Sequence, residues 1–132
     1  MEAISKELAL QEVEKWLDFK KVSANKRESY KDNIDSIANS ISDGILVLNE
    51  DFTITQNLLF PFGVERKIEK LSYKPRLTTG QVYNHMQGIK ASDVDGRLQA
   101  YICALTGSVK EIVKQLDTED NAVAQNIAIF FL

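Results

Sequence analysis

The sequence predicts a mostly helical α+β fold: an N-terminal helical hairpin, a small three-stranded antiparallel meander, and a C-terminal bundle of short helices. Three observations predict it. Apolar residues recur at helical spacing on both sides of a central segment. That central segment carries a β-branched run followed by period-two alternation. Gly44, Pro61, Gly63, Pro75, Gly88 and Gly107 fall at the joints. With 132 residues, 44% hydrophobic and 27% charged, the chain reads as one compact unit, with 1–44 as the helical pair and 45–132 as the remainder. A chain of this size can bury roughly two-thirds of its unfolded surface and needs no disulfide or metal to fold.

The first helix is expected over 2–21, where Leu8, Val13, Trp16 and Leu17 stand among charges without Gly or Pro. A second begins at Ser23 or Asn25 and carries Tyr30, Ile34, Ile37, Ala38 and Ile41 on one face, with Gly44 as a left-handed stop. The short polar break makes the two an antiparallel hairpin. After Gly44 the pattern changes to Ile45-Leu46-Val47-Leu48, turn residues 49–51, and the alternating stretch 52–58. Pro61 and Gly63 predict a turn, and 67–73 a third strand ending before Pro75. So small a sheet needs helices on one face.

Helical signals return at Thr78 or Thr79, which can cap a helix reaching about Gln87, with Gly88 as its stop. Ser92 as N-cap opens the next helix, which carries Val94, Leu98, Tyr101, Ile102 and Leu105 and ends at Gly107. Ser108-Val109-Lys110-Glu111 reads as an S-x-x-E capping box for a helix with Ile112, Val113 and Leu116. Asp117 or Thr118 caps a last helix whose Val123, Ala124, Ile127, Phe130 and Phe131 face one way.

Catalytic grammar is sparse. Cys103 is the one cysteine, which excludes an intrachain disulfide and Cys-rich zinc sites and fits a reducing compartment. His85 is the one histidine and lies in an expected helix, away from any nucleophile-elbow sequence. Ser23-Ala24-Asn25-Lys26 matches S-x-x-K but lacks the partner motifs, so Ser23 is read as a helix cap. Asp93-Val94-Asp95-Gly96 fails as a calcium loop because Leu105 stands where a bidentate Glu is required. No phosphate-cradling glycine motif occurs. The expectation is a non-enzymatic protein without cofactor or metal. The longest apolar run is shorter than the roughly 20 residues of a membrane span, and the start lacks a signal pattern, so no membrane is expected and the cytoplasm is.

The net charge of −3 argues against a dedicated nucleic-acid binder. Two stretches are nevertheless basic, 15–31 and 65–76, the latter holding Lys67, Lys70, Lys74 and Arg76. Such stretches are usually solvated faces, and a basic strand face can also receive an acidic partner. The six apolar residues 127–132 either dock into the core or offer Phe130, Phe131 and Leu132 to another chain; continuity with Val123 and Ile127 favours the core.

Residues 53–132 resemble the small tail assembly chaperones of tailed bacteriophages, above all those of contractile-tailed, Mu-type phages. The resemblance is carried by Leu58-Leu59-Phe60-Pro61 followed by Ile68-Glu69-Lys70-Leu71 and the basic junction Lys74-Pro75-Arg76. It continues through Thr78-Thr79-Gly80, the Leu105-Thr106-Gly107 turn leading to Ile112, and Leu116-Asp117-Thr118-Glu119-Asp120 before a terminal apolar helix. The helical pair before residue 44 departs from the minimal family pattern and could be an oligomerisation arm.

The resemblance implies a protein that holds the long helical tape-measure protein soluble and helps recruit tail-tube subunits. A helix with exposed apolar stripes can be covered by groove contacts that are individually modest and collectively strong. On this reading the contact residues are Val123, Ile127, Phe130, Phe131 and Leu132, with Lys67, Lys70, Lys74 and Arg76 steering. The alternatives are a structural or adaptor component retained in the particle, and a small regulatory nucleic-acid-binding protein using 15–31.

Overall fold

The computed structural model describes residues 4–132. Helix α1 (Lys6–Lys20) starts behind Ser5, whose hydroxyl accepts the Leu8 N–H at 3.2 Å. Residues 1–3, where the expected 2–21 helix would begin, lie outside the described residues. The helix closes at Lys21, a left-handed residue (φ 57°) whose N–H donates to Asp18 O at 3.0 Å.

The single second helix expected up to Gly44 is two helices. These are α2 (Ala24–Ser29), capped by Ser23, and α3 (Lys31–Ser42), kinked apart at Tyr30 (φ −113°, ψ 29°). Hydrogen bonds span the kink from Tyr30 N–H to Lys26 O and from Ile34 N–H to Tyr30 O, both at 3.0 Å. The bend sets the Tyr30 ring edge-on against Phe130 at 5.7 Å, a contact from the far end of the chain that helical spacing alone does not reveal. The expected antiparallel pairing is present. Ile4 N–H donates to Ser42 O at 3.3 Å, Lys6 pairs with Asp35 at 2.9 Å, and Arg27 reaches Glu14 at 2.9 Å and Asp18 at 3.0 Å.

The sheet is the expected meander, with strands β1 (Leu46–Leu48), β2 (Ile54–Phe62) and β3 (Ile68–Tyr73) antiparallel in that order. Leu46, Ile54, Gln56, Leu58, Leu71 and Tyr73 are buried. The β1–β2 turn places Phe52 at φ 65° and stacks its ring on Phe19 at 4.3 Å.

Strand β2 does not stop before Pro61 as the sequence suggests. Its pairing with β3 runs in register to Asn57↔Lys70 and resumes at Phe62↔Ile68, so residues 58–61 stand opposite Glu69 alone. In this irregular stretch Pro61 owes no ladder hydrogen bond, which is why a proline is tolerated inside the strand. The hairpin then turns through Gly63 (φ 88°) and two non-glycine left-handed residues, Glu65 (φ 58°) and Arg66 (φ 55°).

Helix α4 (Thr79–Tyr83) carries a complete capping box between Thr78 and Gln81. It continues as one 3₁₀ turn, Asn84–Met86, and gives way to extended Gln87 before left-handed Gly88 (φ 77°). For α5 (Val94–Thr106) the cap is Asp93, not Ser92: its carboxylate accepts the Gly96 N–H at 2.9 Å. A Cβ on residue 96 would lie 2.4 Å from that carboxylate, so the bare glycine is what lets Asp93 close the turn.

The capping box expected at Ser108 does not form. Ser108 donates its N–H to Cys103 O at 3.1 Å, finishing α5, and α6 (Lys110–Val113) starts behind Val109. Asp117 caps α7 (Thr118–Ala128), which ends in the 3₁₀ turn Ile129–Phe131.

One core joins these elements. Ala9, Val13, Trp16 and Leu17 of α1 meet Ile37, Ala38 and Ile41 of α3; Ala124, Ile127 and Ala128 of α7 close it from above, with the covered sheet face at one side. The result is a mostly helical α+β fold, as expected.

Candidate functional site

The terminal residues named as partner contacts are placed as follows. Ile127 is 0% exposed and Phe130 is 3% exposed. Phe130 stands edge-on to Trp16 at 5.7 Å, so both residues belong to the core. Val123, Phe131 and Leu132 are half-buried and pack against that core. Phe131 lies 6.1 Å from Trp16 and carries the Lys20 ammonium 3.2 Å from its ring centroid. Lys26 donates to the carbonyls of Phe130 (3.3 Å) and Leu132 (3.0 Å), and its burial lowers its pKa. The last turn is therefore held from the N-terminal helices, and while this fold is kept Ile127 and Phe130 present no surface.

Of the basic residues 15–31, several serve internal contacts. Lys15, Arg27 and Lys31 are paired with carboxylates, while Lys20 and Lys26 hold the terminal turn. In the second basic stretch Lys67, Lys70, Lys74 and Arg76 are exposed. Lys67 lies 3.4 Å from Glu65, and Lys74 donates to Ala104 O at 3.2 Å. Lys67 and Lys70 belong to the β2–β3 hairpin; Lys74 and Arg76 lie beyond it, so the four do not form one cluster on one element.

Large apolar side chains are exposed singly on several elements, Leu8, Tyr83, Val94 and Val109 among them, and three are exposed close together in sequence on the β2–β3 hairpin. At the far end of the β2–β3 hairpin Leu59 is 50%, Phe60 53% and Val64 84% exposed, flanked by Pro61, Arg66, Lys67 and Lys70. Leu59 and Phe60 lie in the irregular stretch of β2 and Val64 in the turn that follows Gly63.

A buried polar network holds this end of β2. Asp120, fully buried in the first turn of α7, accepts the N–H of Leu59 at 2.9 Å and of Phe60 at 3.0 Å on its two carboxylate oxygens. Strand β1 is too short to supply those acceptors, so a helix carboxylate replaces a strand. Beside it Gln56, also fully buried, donates from Nε2 to Asp120 O at 3.0 Å and accepts the Tyr73 hydroxyl proton on Oε1. Burial, reinforced by the Asp120 charge, pushes the Tyr73 pKa far above its ordinary value, so Tyr73 is a permanent donor at neutral pH.

Two cavities complete the surface. One, of about 400 Å³, lies between the end of α1, the 76–83 segment and the terminal turn, and is lined by Lys20 and Arg76. Lys20 is pulled down to about 8 by burial first, then by the like charges of Arg76 and Lys26. The other, of about 480 Å³, is lined by His85, Asp93 and Cys103 among others. Burial pushes the Cys103 thiol up, away from the thiolate that a nucleophile or metal ligand requires. Among the described residues no group of three His, Cys, Asp or Glu side chains is placed to hold a metal ion. No described helix is long and apolar enough to cross a membrane.

The class defined by fold and surface is a mostly helical α+β protein with a braced apolar hairpin tip and a separate cationic cavity. No family model, curated protein or solved structure matches the chain.

Proposed function

We propose that this protein is a non-enzymatic tail assembly chaperone that binds and solubilises a phage tape-measure protein and helps recruit tail-tube subunits, acting in the bacterial cytoplasm. The observation that carries the reading is the hairpin tip. Leu59, Phe60 and Val64 hold large apolar side chains out in water, and the amides of the first two are held from behind by Asp120. Exposed apolar side chains gathered on one projecting element mark an interaction surface. Arg66, Lys67 and Lys70 beside them favour a partner with acidic flanks. The resemblance of residues 53–132 to tail assembly chaperones supplies the partner, and a tape-measure helix with apolar stripes supplies complementary chemistry.

On this reading the main contact is the tip rather than the terminal helix, with Val123, Phe131 and Leu132 as a secondary rim. Repeated weak capture along a long helix supplies avidity while leaving each contact reversible. Co-expression with the neighbouring tape-measure gene tests it, read by affinity capture and light scattering after size exclusion. A soluble complex, with the tape measure insoluble alone, is expected. A tape measure that stays insoluble while this protein elutes alone refutes it, as does stoichiometric retention of this protein in purified particles.

A further inference from the structure

The cavity beside the terminal turn gathers two cations on one wall. Lys20 and Arg76 line it. Among the described residues no Asp or Glu carboxylate lies within 4.0 Å of either cation. Arg76 donates to no described group, although its guanidinium offers a planar fork of donors matched to a carboxylate. Two like charges sharing a wall, in a chain with an excess of acidic residues, are otherwise unfavourable. The remaining wall is apolar, formed by Leu77, Val82, Met86 and Phe131, with the Tyr101 ring alongside. The volume of about 400 Å³ is in the range of small-ligand sites.

We propose that this cavity binds a carboxylate carried on an apolar or aromatic body, with Arg76 gripping the carboxylate in bidentate fashion, Lys20 supplying the second charge and the apolar wall taking the body. The site is distinct from the hairpin tip and stands whether or not the tip binds a tape measure. Two sources share this chemistry, a small organic acid and the free C-terminus of a polypeptide ending in an apolar residue.

Lys20 makes binding proton-linked. The charged and titratable groups facing it are Arg76 from the β3–α4 connection, Lys26 from α2, Tyr83 from α4 and Tyr101 from α5. A bound carboxylate offsets the repulsion from Arg76 and Lys26 and draws a proton onto Lys20. With that group near 8 in the free protein, about half a proton is taken up per ligand at pH near 8.

Titration calorimetry with 3-phenylpropionate, its neutral amide, and a short peptide ending in a free Phe carboxylate tests this. Saturable binding is expected for an acid at about 1 mM or tighter. The amide should bind at least about tenfold more weakly, since a charge-assisted pair is lost. Arg76→Gln should weaken the acid by about tenfold or more; its exposed, unpartnered side chain makes it safe for folding. Lys70→Gln, on the hairpin, should leave binding unchanged. Proton uptake, read from the heat in buffers of different ionisation enthalpy, should disappear in Lys20→Met. Binding by phenylpropionate identifies a free organic acid, and binding by the peptide alone identifies a polypeptide terminus; either supports the site. Equal binding of acid and amide, an unchanged Arg76→Gln, or no saturation by either acid up to about 10 mM overturns it.

Discussion

Removing the Asp120 carboxylate should loosen the hairpin tip far more than the rest of the sheet. Asp120 is fully buried and its two oxygens accept the Leu59 and Phe60 N–H groups at 2.9 and 3.0 Å. Hydrogen bonds to a charged group contribute about 1.5–3 kcal/mol each, and an orphaned donor costs about 1–3 kcal/mol. Both donors are only part-buried, so the lower half of each range applies. Asp120→Asn keeps one acceptor and turns an NH₂ toward the other amide, for a loss of about 2 kcal/mol. Asp120→Ala leaves both donors bare, for about 3–5 kcal/mol. Urea unfolding measures the totals, and hydrogen exchange locates them: the Leu59 and Phe60 amides should exchange faster by a larger factor than those of Ile54 or Gln56. If Asp120→Ala costs less than about 0.5 kcal/mol and leaves the two amides protected, the bracing argument is wrong. On the proposed chaperone function Asp120→Asn should also weaken tape-measure capture, because the apolar tip is then held by one hydrogen bond fewer.

Three further outcomes follow from the geometry. Ser at Leu59, Phe60 and Val64 together should change the urea midpoint little, each being at least half exposed, yet abolish co-purification of the tape measure. Gly96→Ala should leave thermal unfolding nearly unchanged, because the roughly 1 kcal/mol lost if its Cβ displaces the Asp93 cap is offset by about 1 kcal/mol of helix propensity; Asp93→Ala, which loses the cap alone, should lower the melting temperature. Lys20 sits near 8 folded and at 10.5 unfolded, so the unfolded state binds more protons between those values and stability should rise as pH increases through that window. The rise should reverse above about 10, where unfolded tyrosine ionises and buried Tyr73 does not, and Lys20→Met should flatten the lower limb in pH-dependent urea titrations.

Much of the fold was legible where local chemistry decides it. The Ile34, Ile37 and Ile41 stripe and the break at Gly44 each report a local conformation and are present, and of the alternation expected over 52–58 the part from Ile54 onward is strand while Phe52 turns. Departures occur where a distant residue intervenes. At the bend Tyr30 meets Phe130 from the last turn, and Asp120 accepts the amides that carry β2 on to Phe62. Gln56 is an instructive case. Its period-two position with Ile54 and Leu58 already marked the inward face, but its partners lie on β3 and α7.

The candidate surfaces were less legible for the same reason. Lys67, Lys70 and Arg76 read as basic and exposed, and they are. Leu59, Phe60 and Val64 carry no sequence mark that separates an outward apolar side chain from an inward one. Lys20 and Arg76 meet only through the packing of α1 against the last turn.

The hold of Lys26 on Phe130 and Leu132, across sequence separations of 104 and 106 residues, has a consequence for biosynthesis. Trp16 gains ring contacts from Phe130 and Phe131, and Tyr30 from Phe130, so the N-terminal helices cannot reach their final packing on a ribosome that has not yet released those residues. At about 5–20 residues per second the nascent chain spends several seconds with Trp16 unpaired. Completion of the core thus waits for Phe130 and Phe131, and a chain cut short before Phe130 would carry its aromatic cluster open to proteolysis.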